Sequence, residues 1–368
     1  MAVSMRRIAT SRGRFGLGAL TLLGLSVGGT ACKVMIERPA SAGPSTLQVD
    51  LLEGDVGSDE TPIAFGAPHR YRFDVKALRA DGSLYEDFEG RVHITVGPNG
   101  AVLSDAYVDF VGGQAVDVEV ELERVHGDVQ VWFEDVNPAG EGSYATGLSP
   151  TLHIAHPTIR NLQETDDIEA NALEGDFVNL RAADRNLVVT DTTNNGFHVT
   201  DLDDDAFNSL FVFTFSAPRG LEVGSRITYL DGTADEFLGL TELSFPAYKA
   251  EGELAVPDPV LLDVTTINDE LAMEALEASL VEARDLIVCP TDADFDVYGQ
   301  WTALLSPSGS CADAIDAITV VSTFTVPSFD PKASTGETVR RITGILRYVG
   351  PANPPWILTP RFEDDLER

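Results

Sequence analysis

Cysteine and basic residues are both scarce in this chain. Its 368 residues include 3 Cys, too few for a disulfide-dense scaffold. They also include 25 Lys+Arg against 59 Asp+Glu, a formal charge of −34, which disfavours electrostatic binding to nucleic acid and to anionic membrane surfaces. The hydrophobic content of 43% is ample for real cores, and the length indicates two or three globular domains.

Sequence signatures of catalysis are also lacking. The chain contains no Gly-x-Ser-x-Gly elbow, no phosphate loop and no His-Glu-x-x-His run. Its six histidines are scattered, and the spacing of His153 and His156 has no geometric meaning outside a helix. We therefore expect neither enzymatic activity nor a cofactor.

The N-terminus has a basic and then an apolar segment. Residues 1–31 contain four arginines and no acid, and the apolar run from Phe15 to Val27 is 13 residues long, too short to span a bilayer comfortably. This is the form of a secretory signal. Without its four basic residues the chain retains 21 Lys+Arg against 59 Asp+Glu, a charge of −38.

The end of this signal resembles the lipobox of bacterial lipoproteins. The run Gly28-Gly29-Thr30-Ala31-Cys32 places small residues before a cysteine. The resemblance implies cleavage before Cys32 and acylation of its thiol, which would anchor the protein in the membrane through lipid. Lys33 in the next position implies the outer membrane, on either its periplasmic or its surface face. The alternative is ordinary cleavage after Ala31, which leaves Cys32 unmodified.

The stretch that follows is a tether and then a predicted β-sandwich. Residues 32–46 are rich in Pro, Ser, Gly and Ala and cannot build a core. Residues 47–156 contain alternating apolar runs separated by turns, which predicts antiparallel strands with one wet face. The predicted strands include 71–78, 91–96, 115–122 and 128–133. The Asp81-Gly82 turn and the Phe88-Glu89-Gly90 loop resemble those of bacterial immunoglobulin-like modules, which usually act as spacers or adhesive platforms.

A different pattern begins after an acidic connector and predicts a small Greek-key barrel over residues 157–255. Five short strands are expected at 173–180, 187–190, 196–201, 209–215 and 223–237. Gly224-Ser225-Arg226-Ile227 resembles a strand, and Gly239-Leu240-Thr241-Glu242-Leu243 a turn, of OB-fold domains of exported bacterial proteins, including domains found beside extracellular nucleases.

A second, looser copy of this domain is predicted over residues 256–368. Leu276–Val281 echoes Leu173–Val178 at an offset of 103 residues, and the strand after Gly336 echoes the strand after Gly224 at an offset of 112. The ending Leu358-Thr359-Pro360-Arg361 with Asp365 also resembles that family. Thr266–Ala275 is the only convincing short helix. The predicted fold class is therefore all-β: an immunoglobulin-like sandwich followed by two OB-like barrels.

Two groups of side chains are candidate sites in the second barrel. Cys289 and Cys311 predict a disulfide in an oxidising compartment, worth about 3 kcal/mol, the alternative being two buried reduced thiols. The alternating carboxylates of Asp292, Asp294 and Asp296 are weak calcium candidates. Val297 and Ala303 occupy the places of the required Gly and Glu of a calcium loop, so solvated acidic turns explain the carboxylates better. We expect no metal site.

The aromatic residues of the first barrel are candidates for base or sugar stacking. They are Phe197, Phe211, Phe213 and Phe215. Alternate aromatics on a strand are more often core, and the arginines Arg181, Arg185, Arg219 and Arg226 are few beside the aspartates at 201 and 203–205. Nucleic-acid binding is therefore disfavoured.

Two functions are compatible with these features. The first is an exported, lipid-anchored, noncatalytic envelope protein that presents its β-domains to a protein or glycan partner. The second is an accessory OB-fold protein that binds oligosaccharide or nucleic acid for a secreted hydrolase. The ligand-binding residues are not identified by the sequence.

Overall fold

The structure, a computed structural model, describes residues 44–135, 145–165, 170–350 and 354–368. The predicted signal, the lipidation site Cys32 and most of the tether lie outside these ranges. Strands account for 48% of the structure and helices for 8%, which confirms the all-β class. Among the described residues, no helix has both the length and the apolar character needed to cross a membrane. The described residues belong to one unit, Gly43–Arg368.

The first part of the chain forms two antiparallel sheets packed over a shared core. The strands are β1 (Thr46–Glu53), β2 (His69–Leu78), β3 (Arg91–Gly97), β4 (Ala101–Val102), β5 (Tyr107–Asp109), β6 (Gln114–Glu123), β7 (Gly127–Asp135), β8 (Thr146–Leu148) and β9 (Leu152–Ile154). One sheet has the order β1-β2-β6-β4 and the other β5-β3-β7-β8, with β9 paired to the start of β7. Side chains alternate between the two faces of each strand, so that one face of each sheet is turned toward the core. In that core the rings of Phe73 and Phe133 pack edge-on, with their centroids 5.5 Å apart.

The next part is a closed five-stranded barrel, called barrel 1. Its elements are α1 (Ile159–Gln163), β10 (Phe177–Asn179), a 3₁₀ turn (Ala182–Asp184), β11 (Leu187–Thr192), β12 (Gly196–Asp201), β13 (Ser209–Phe213), β14 (Ser225–Phe237) and β15 (Leu240–Glu253). The barrel order is β11-β12-β13-β15-β14, and β14 pairs back with β11 to close the ring. Neighbouring strands are antiparallel except β13 and β15, which run parallel. β10 pairs with the second half of β14.

The last part is a second closed barrel with the same connectivity, called barrel 2. Its elements are β16 (Val260–Leu262), α2 (Val264–Ile267), α3 (Glu270–Glu274), β17 (Leu280–Val288), α4 (Ala293–Tyr298), β18 (Gln300–Leu304), β19 (Ala317–Val321), β20 (Thr338–Tyr348), β21 (Trp356–Thr359), a 3₁₀ turn (Glu363–Asp365) and β22 (Leu366–Glu367). The barrel order is β17-β18-β19-β21-β20, closed by pairing of β20 with β17. Here β19 and β21 are the parallel pair. Both barrels are therefore built by one strand plan.

The internal repeat predicted from the sequence has a counterpart in strand register. Val178 lies opposite Gly232 in barrel 1, and Val281 lies opposite Gly344 in barrel 2. These pairs are related by the predicted offsets of 103 and 112 residues. A Cβ atom at Gly344 would lie 2.3 Å from the carbonyl oxygen of Thr359, so this position needs glycine because the neighbouring strand passes very close.

Two local predictions were wrong. The segment 239–243 is not a turn: Leu238 and Gly239, both at positive φ, form the whole turn, and β15 starts at Leu240. The fifth barrel strand is thus β15, and the segment predicted at 173–180 supplies only the edge strand β10. The single helix expected over Thr266–Ala275 is two short helices, because each has its own aspartate cap: Thr266 N–H donates to Asp263 and Ala272 N–H to Asp269.

Candidate functional site

A cleft of about 860 Å³ lies between the two barrels. Barrel 1 contributes the turn between β11 and β12, the outer faces of β12 and β13, and the start of β15. Barrel 2 contributes the ends of β19 and β21 and part of β20. The volume is in the range of small-molecule sites, so the cleft is the best candidate for ligand binding among the described residues.

Strand register brings a row of functional side chains to the floor of this cleft. Asp191 of β11 lies opposite His198 of β12, His198 opposite Phe211 of β13, and Phe211 opposite Glu242 of β15. Side chains alternate between faces along a strand, and all four line the cleft. The intervening apolar residues, among them Val199, pack in the core of barrel 1.

Aromatic rings form a continuous wall along this face. Ring centroids are 4.8 Å apart for His198 and Phe211, 6.3 Å for Phe211 and Phe213, and 4.3 Å for Phe213 and Phe215. A Cβ atom at Gly196 would lie 2.5 Å from the Phe211 ring, so glycine on β12 leaves room for that ring to lie flat on the sheet. The wall extends outward, because Phe215 is 57% exposed.

Two more phenylalanines lie across the mouth of the cleft. Phe237 at the end of β14 is 61% exposed, and Phe324, which follows β19 in barrel 2, is 84% exposed. Single exposed rings are ordinary on protein surfaces, but both of these line the same cleft as Phe211 and Phe213, and contiguous exposed apolar surface marks binding sites. Aromatic surface therefore faces the cleft from both barrels.

Polar groups complete the floor. Burial, followed by the nearby charge of Asp235, raises the pKa of Glu242 to about 7. Burial also lowers the pKa of Arg347, whose Nε has no hydrogen-bond partner among the described residues. The Nδ1 atom of His198 lies 3.5 Å from an oxygen of Asp191. These groups offer donors and acceptors to a ligand that also contacts the rings.

Arg361 joins barrel 2 to barrel 1 at the edge of the cleft. Its guanidinium is bidentate to Asp365, at 3.0 and 3.1 Å, and both side chains are 10% exposed. The same guanidinium donates to the carbonyl oxygen of Thr190 in β11, at 3.0 Å. Arg361, held in place by Asp365, therefore links the C-terminal ending of barrel 2 to barrel 1.

Buried acids form a second contact between the barrels. Thr241 N–H of β15 donates to Glu277 Oε2 at 3.0 Å, and Glu277 is 2% exposed. Burial raises the pKa of Glu277 well above its ordinary value, and it raises that of Glu274 to about 8 and that of Glu236 to about 7. Each of the three has one oxygen without a partner among the described residues. Burial in this contact therefore favours the protonated, neutral form of all three carboxyls.

The aromatic candidates from the sequence divide between core and cleft. Phe197 is fully buried in the core of barrel 1, which is the usual place of alternate aromatics on a strand. Phe211 is also buried, at 8% exposed, but it lies on the opposite face of the sheet, where it lines the cleft together with the half-buried Phe213. The sequence argument missed His198, Glu242 and Arg347; the alternation along β12 was the one signal that pointed to His198.

The other predicted residues lie away from the cleft. Two of the arginines are occupied by barrel 1 acids: Arg181 pairs with Asp184, and Arg185 with Asp201 and Asp204. Asp296 is part of α4 and pairs with Lys332, so the expected acidic turn is a helix, and the side chain of Asp294 lies outside the described part. Asp292 precedes this helix.

Cys289 and Cys311 form a disulfide, with their Cα atoms 5.6 Å apart. Cys289 packs with Leu304 and Ala317, which lie opposite each other on β18 and β19. These two residues are outside the main core of barrel 2. The loop that contains Cys311 therefore covers the outer face of β18 and β19.

The chemistry of the cleft has to be judged from its own side chains. No protein-family model matches the chain, and no curated protein shows significant sequence similarity to it. Two acids, Asp191 and Glu242, and two arginines, Arg347 and Arg361, line the cleft together with the rings. This arrangement suits a largely uncharged ligand with both flat apolar surface and hydroxyl or amide groups.

Proposed function

We propose that this protein is an exported, noncatalytic envelope protein that binds a neutral glycan in the cleft between its barrels. The observation that carries the proposal is the aromatic wall on β12 and β13, bordered by amide and charged groups. A sugar ring has one face of C–H groups and an edge of hydroxyls. The Phe211 and Phe213 rings suit the first, and the exposed amides of Asn194 and Asn195 suit the second.

The fold supports this assignment. We interpret both barrels as OB-like and the preceding sandwich as immunoglobulin-like. β12 and β13 are the second and third strands of barrel 1, and this is the face on which OB-folds bind oligosaccharides and oligonucleotides. The cleft therefore lies where such a barrel presents its ligand.

The charges favour sugar over nucleic acid. The acids and arginines of the cleft balance, and Arg361 is already engaged by Asp365. A chain with a formal charge of −34 gains little from the phosphates of a polyanion. Base stacking alone would have to hold a nucleic acid here, without the basic groove that such sites use.

Attachment to the outer membrane is part of the proposal and depends on the N-terminal sequence. Acylation of Cys32 would tether the domains through residues 33–46. A Cys32→Ala variant, labelled with palmitate and followed by membrane fractionation, tests this step. The proposal expects loss of both label and membrane attachment, and unchanged labelling would contradict it.

Arrays of glycans and of single-stranded oligonucleotides test the ligand. The full-length chain, purified in detergent, is applied to both arrays at physiological salt and again at high salt. We expect binding to a subset of neutral glycans that salt does not weaken. Binding confined to oligonucleotides, and lost at high salt, would overturn the glycan assignment.

A further inference from the structure

Three metal-ligating side chains meet at the edge of the sandwich, and none of them lines the cleft. The Nδ1 atom of His153 lies 2.9 Å from an oxygen of Asp128 and 3.1 Å from an oxygen of Asp59. One ligand atom from each of the three residues fits within 4.8 Å of the other two. They border a cavity of about 290 Å³.

The backbone holds these side chains in place. Asp128 of β7 and His153 of β9 are directly opposite in the ladder, so their side chains share a face. His153 is bonded on both backbone atoms: its N–H donates to Val56 and its carbonyl accepts from Ile63, both at 2.8 Å. The segment that carries Asp59 is thereby fastened to β9.

A turn presents Asp59 to this pair. Ser58 and Thr61 exchange two backbone hydrogen bonds of 3.1 Å, with Asp59 between them. The three ligands thus come from a turn and two strands that are separated by 69 and 25 residues in sequence. Residues so far apart in the sequence cannot be recognised as one metal site from their spacing.

The charges of the group are unbalanced. Two carboxylates converge on one imidazole nitrogen, which holds at most one proton to share between them. The nearest arginines bordering the cavity are occupied, since Arg181 pairs with Asp184 and Arg185 with Asp201. A divalent cation would relieve the repulsion between the two carboxylates.

We propose that Asp59, Asp128 and His153 bind a divalent transition-metal ion such as zinc. Imidazole with two carboxylates suits such an ion better than calcium, which prefers oxygen ligands alone. Zinc bonds of 2.0–2.2 Å at tetrahedral angles separate ligand atoms by about 3.4 Å, a few tenths of an ångström wider than the present contacts. The carboxylates are exposed enough to adjust, and the cavity leaves room for water as a further ligand.

Calorimetric titration with zinc tests the site. Untagged full-length chain, purified in detergent, is dialysed against chelator and titrated with zinc alone and, separately, with calcium alone. We expect one zinc ion per chain, a raised Tm in the presence of zinc, and no response to calcium. Absence of zinc binding, or binding of calcium in preference to zinc, would overturn the proposal.

Matched variants locate the ion. His153→Gln and Asp59→Asn remove single ligands; Asp59 is 80% exposed at its side chain, so its substitution leaves the fold intact. Both variants should lose the zinc equivalent and the Tm response. His93→Gln, a histidine of β3 in the same sandwich, should retain both. Retention by the ligand variants, or loss in His93→Gln, would place the ion elsewhere and refute the assignment.

Discussion

Barrels 1 and 2 have the same strand order, but the outer face of their second and third strands has a different environment in each barrel. In barrel 1 the outer face of the second and third strands carries His198 and Phe211 and opens into the cleft. In barrel 2 the same face carries Leu304 and Ala317, which are covered by the loop that the Cys289–Cys311 disulfide holds. In barrel 1 this face is therefore open to a ligand, whereas in barrel 2 it is packed against a loop of the same barrel.

The first strands of the barrels differ as well. In barrel 2, β17 pairs with β20 along its length, from Leu280 to Ile287. In barrel 1 the equivalent edge is divided, since β10 and β11 pair separately with the two halves of β14. The 3₁₀ turn Ala182–Asp184 fills the interruption. The first strand is therefore continuous in barrel 2 and interrupted in barrel 1.

The largest effect is expected at the contact that unites the barrels. Arg361→Ala removes the cationic partner of the buried Asp365, which among the described residues keeps only the backbone N–H donors of residue 361 and Phe362, and this should lower the free energy of unfolding by about 3–4 kcal/mol. Urea unfolding followed by fluorescence measures the loss. Arg340→Ala is the control, because that arginine is 71% exposed and its pair with Glu367 should contribute less than about 1 kcal/mol. Equal losses in the two variants would argue against the Arg361 contact as the link.

Removal of the disulfide should affect barrel 2 alone. The double substitution Cys289→Ala and Cys311→Ala is expected to cost about 2–4 kcal/mol, because the unfolded chain regains the freedom of that loop. Thermal unfolding measures this, with the reduced wild-type protein as the comparison. Glycan binding in the cleft should be unchanged because neither cysteine lines it, and a parallel loss of binding would show that the cleft depends on the disulfide.

The paired glycines test whether the two barrels share a register. Gly344→Ala brings a Cβ within 2.3 Å of the Thr359 carbonyl oxygen, and Gly232→Ala brings one within 2.8 Å of that of Ser244. Both should destabilise by about 1–3 kcal/mol, with the larger loss at Gly344 because the closer backbone must move. Chemical denaturation of the two variants provides the measurement. If either substitution left the free energy of unfolding unchanged, the two glycines would not occupy equivalent positions.

A smaller and pH-dependent effect is expected at the buried acids between the barrels. The pKa of Glu274 is raised to about 8 in the folded chain, first by burial and then by Glu236 and Glu270. Its contribution to stability is thus fully present below the ordinary pKa of about 4.5 and is lost as pH rises to about 8. Between pH 6 and 7 we expect a loss of about 1 kcal/mol.

The free energy of unfolding of wild type and of Glu274→Gln, measured at pH 6 and at pH 7, tests this contribution. Glutamine has nearly the shape of protonated glutamate and stays uncharged at every pH. The variant should show a flatter dependence on pH than wild type. Glu253→Gln, at the exposed end of β15, should keep the wild-type slope. A slope that is the same in all three proteins would contradict the role of Glu274.

The fold was largely accessible from the sequence because alternation and turns are local signals. The strand predicted at 196–201 has the bounds of β12, and the offsets between the two copies place Gly232 and Gly344 at equivalent positions. The errors arose where local signals conflict. The sequence resemblance places Leu240–Leu243 in a turn, whereas these residues follow a two-residue turn and begin the longest strand of barrel 1.

The sites were not accessible in the same way. In β13 every residue from Leu210 to Phe213 is apolar, so periodicity does not say which of the two faces is the core. The cleft also combines Asp191 with Arg361, and the proposed metal site combines Asp59 with His153. Such pairs meet only through tertiary packing, which a single sequence does not reveal.

The outer face of β12 and β13 is the proposed ligand-binding surface. Calorimetric titration of Phe213→Ala with a glycan selected on the array tests it most directly, with Phe177→Ala, 59% exposed and outside the cleft, as the matched control. The account predicts binding about tenfold weaker, or roughly 1.4 kcal/mol, in Phe213→Ala and unchanged affinity in Phe177→Ala. Wild-type affinity in Phe213→Ala would contradict it.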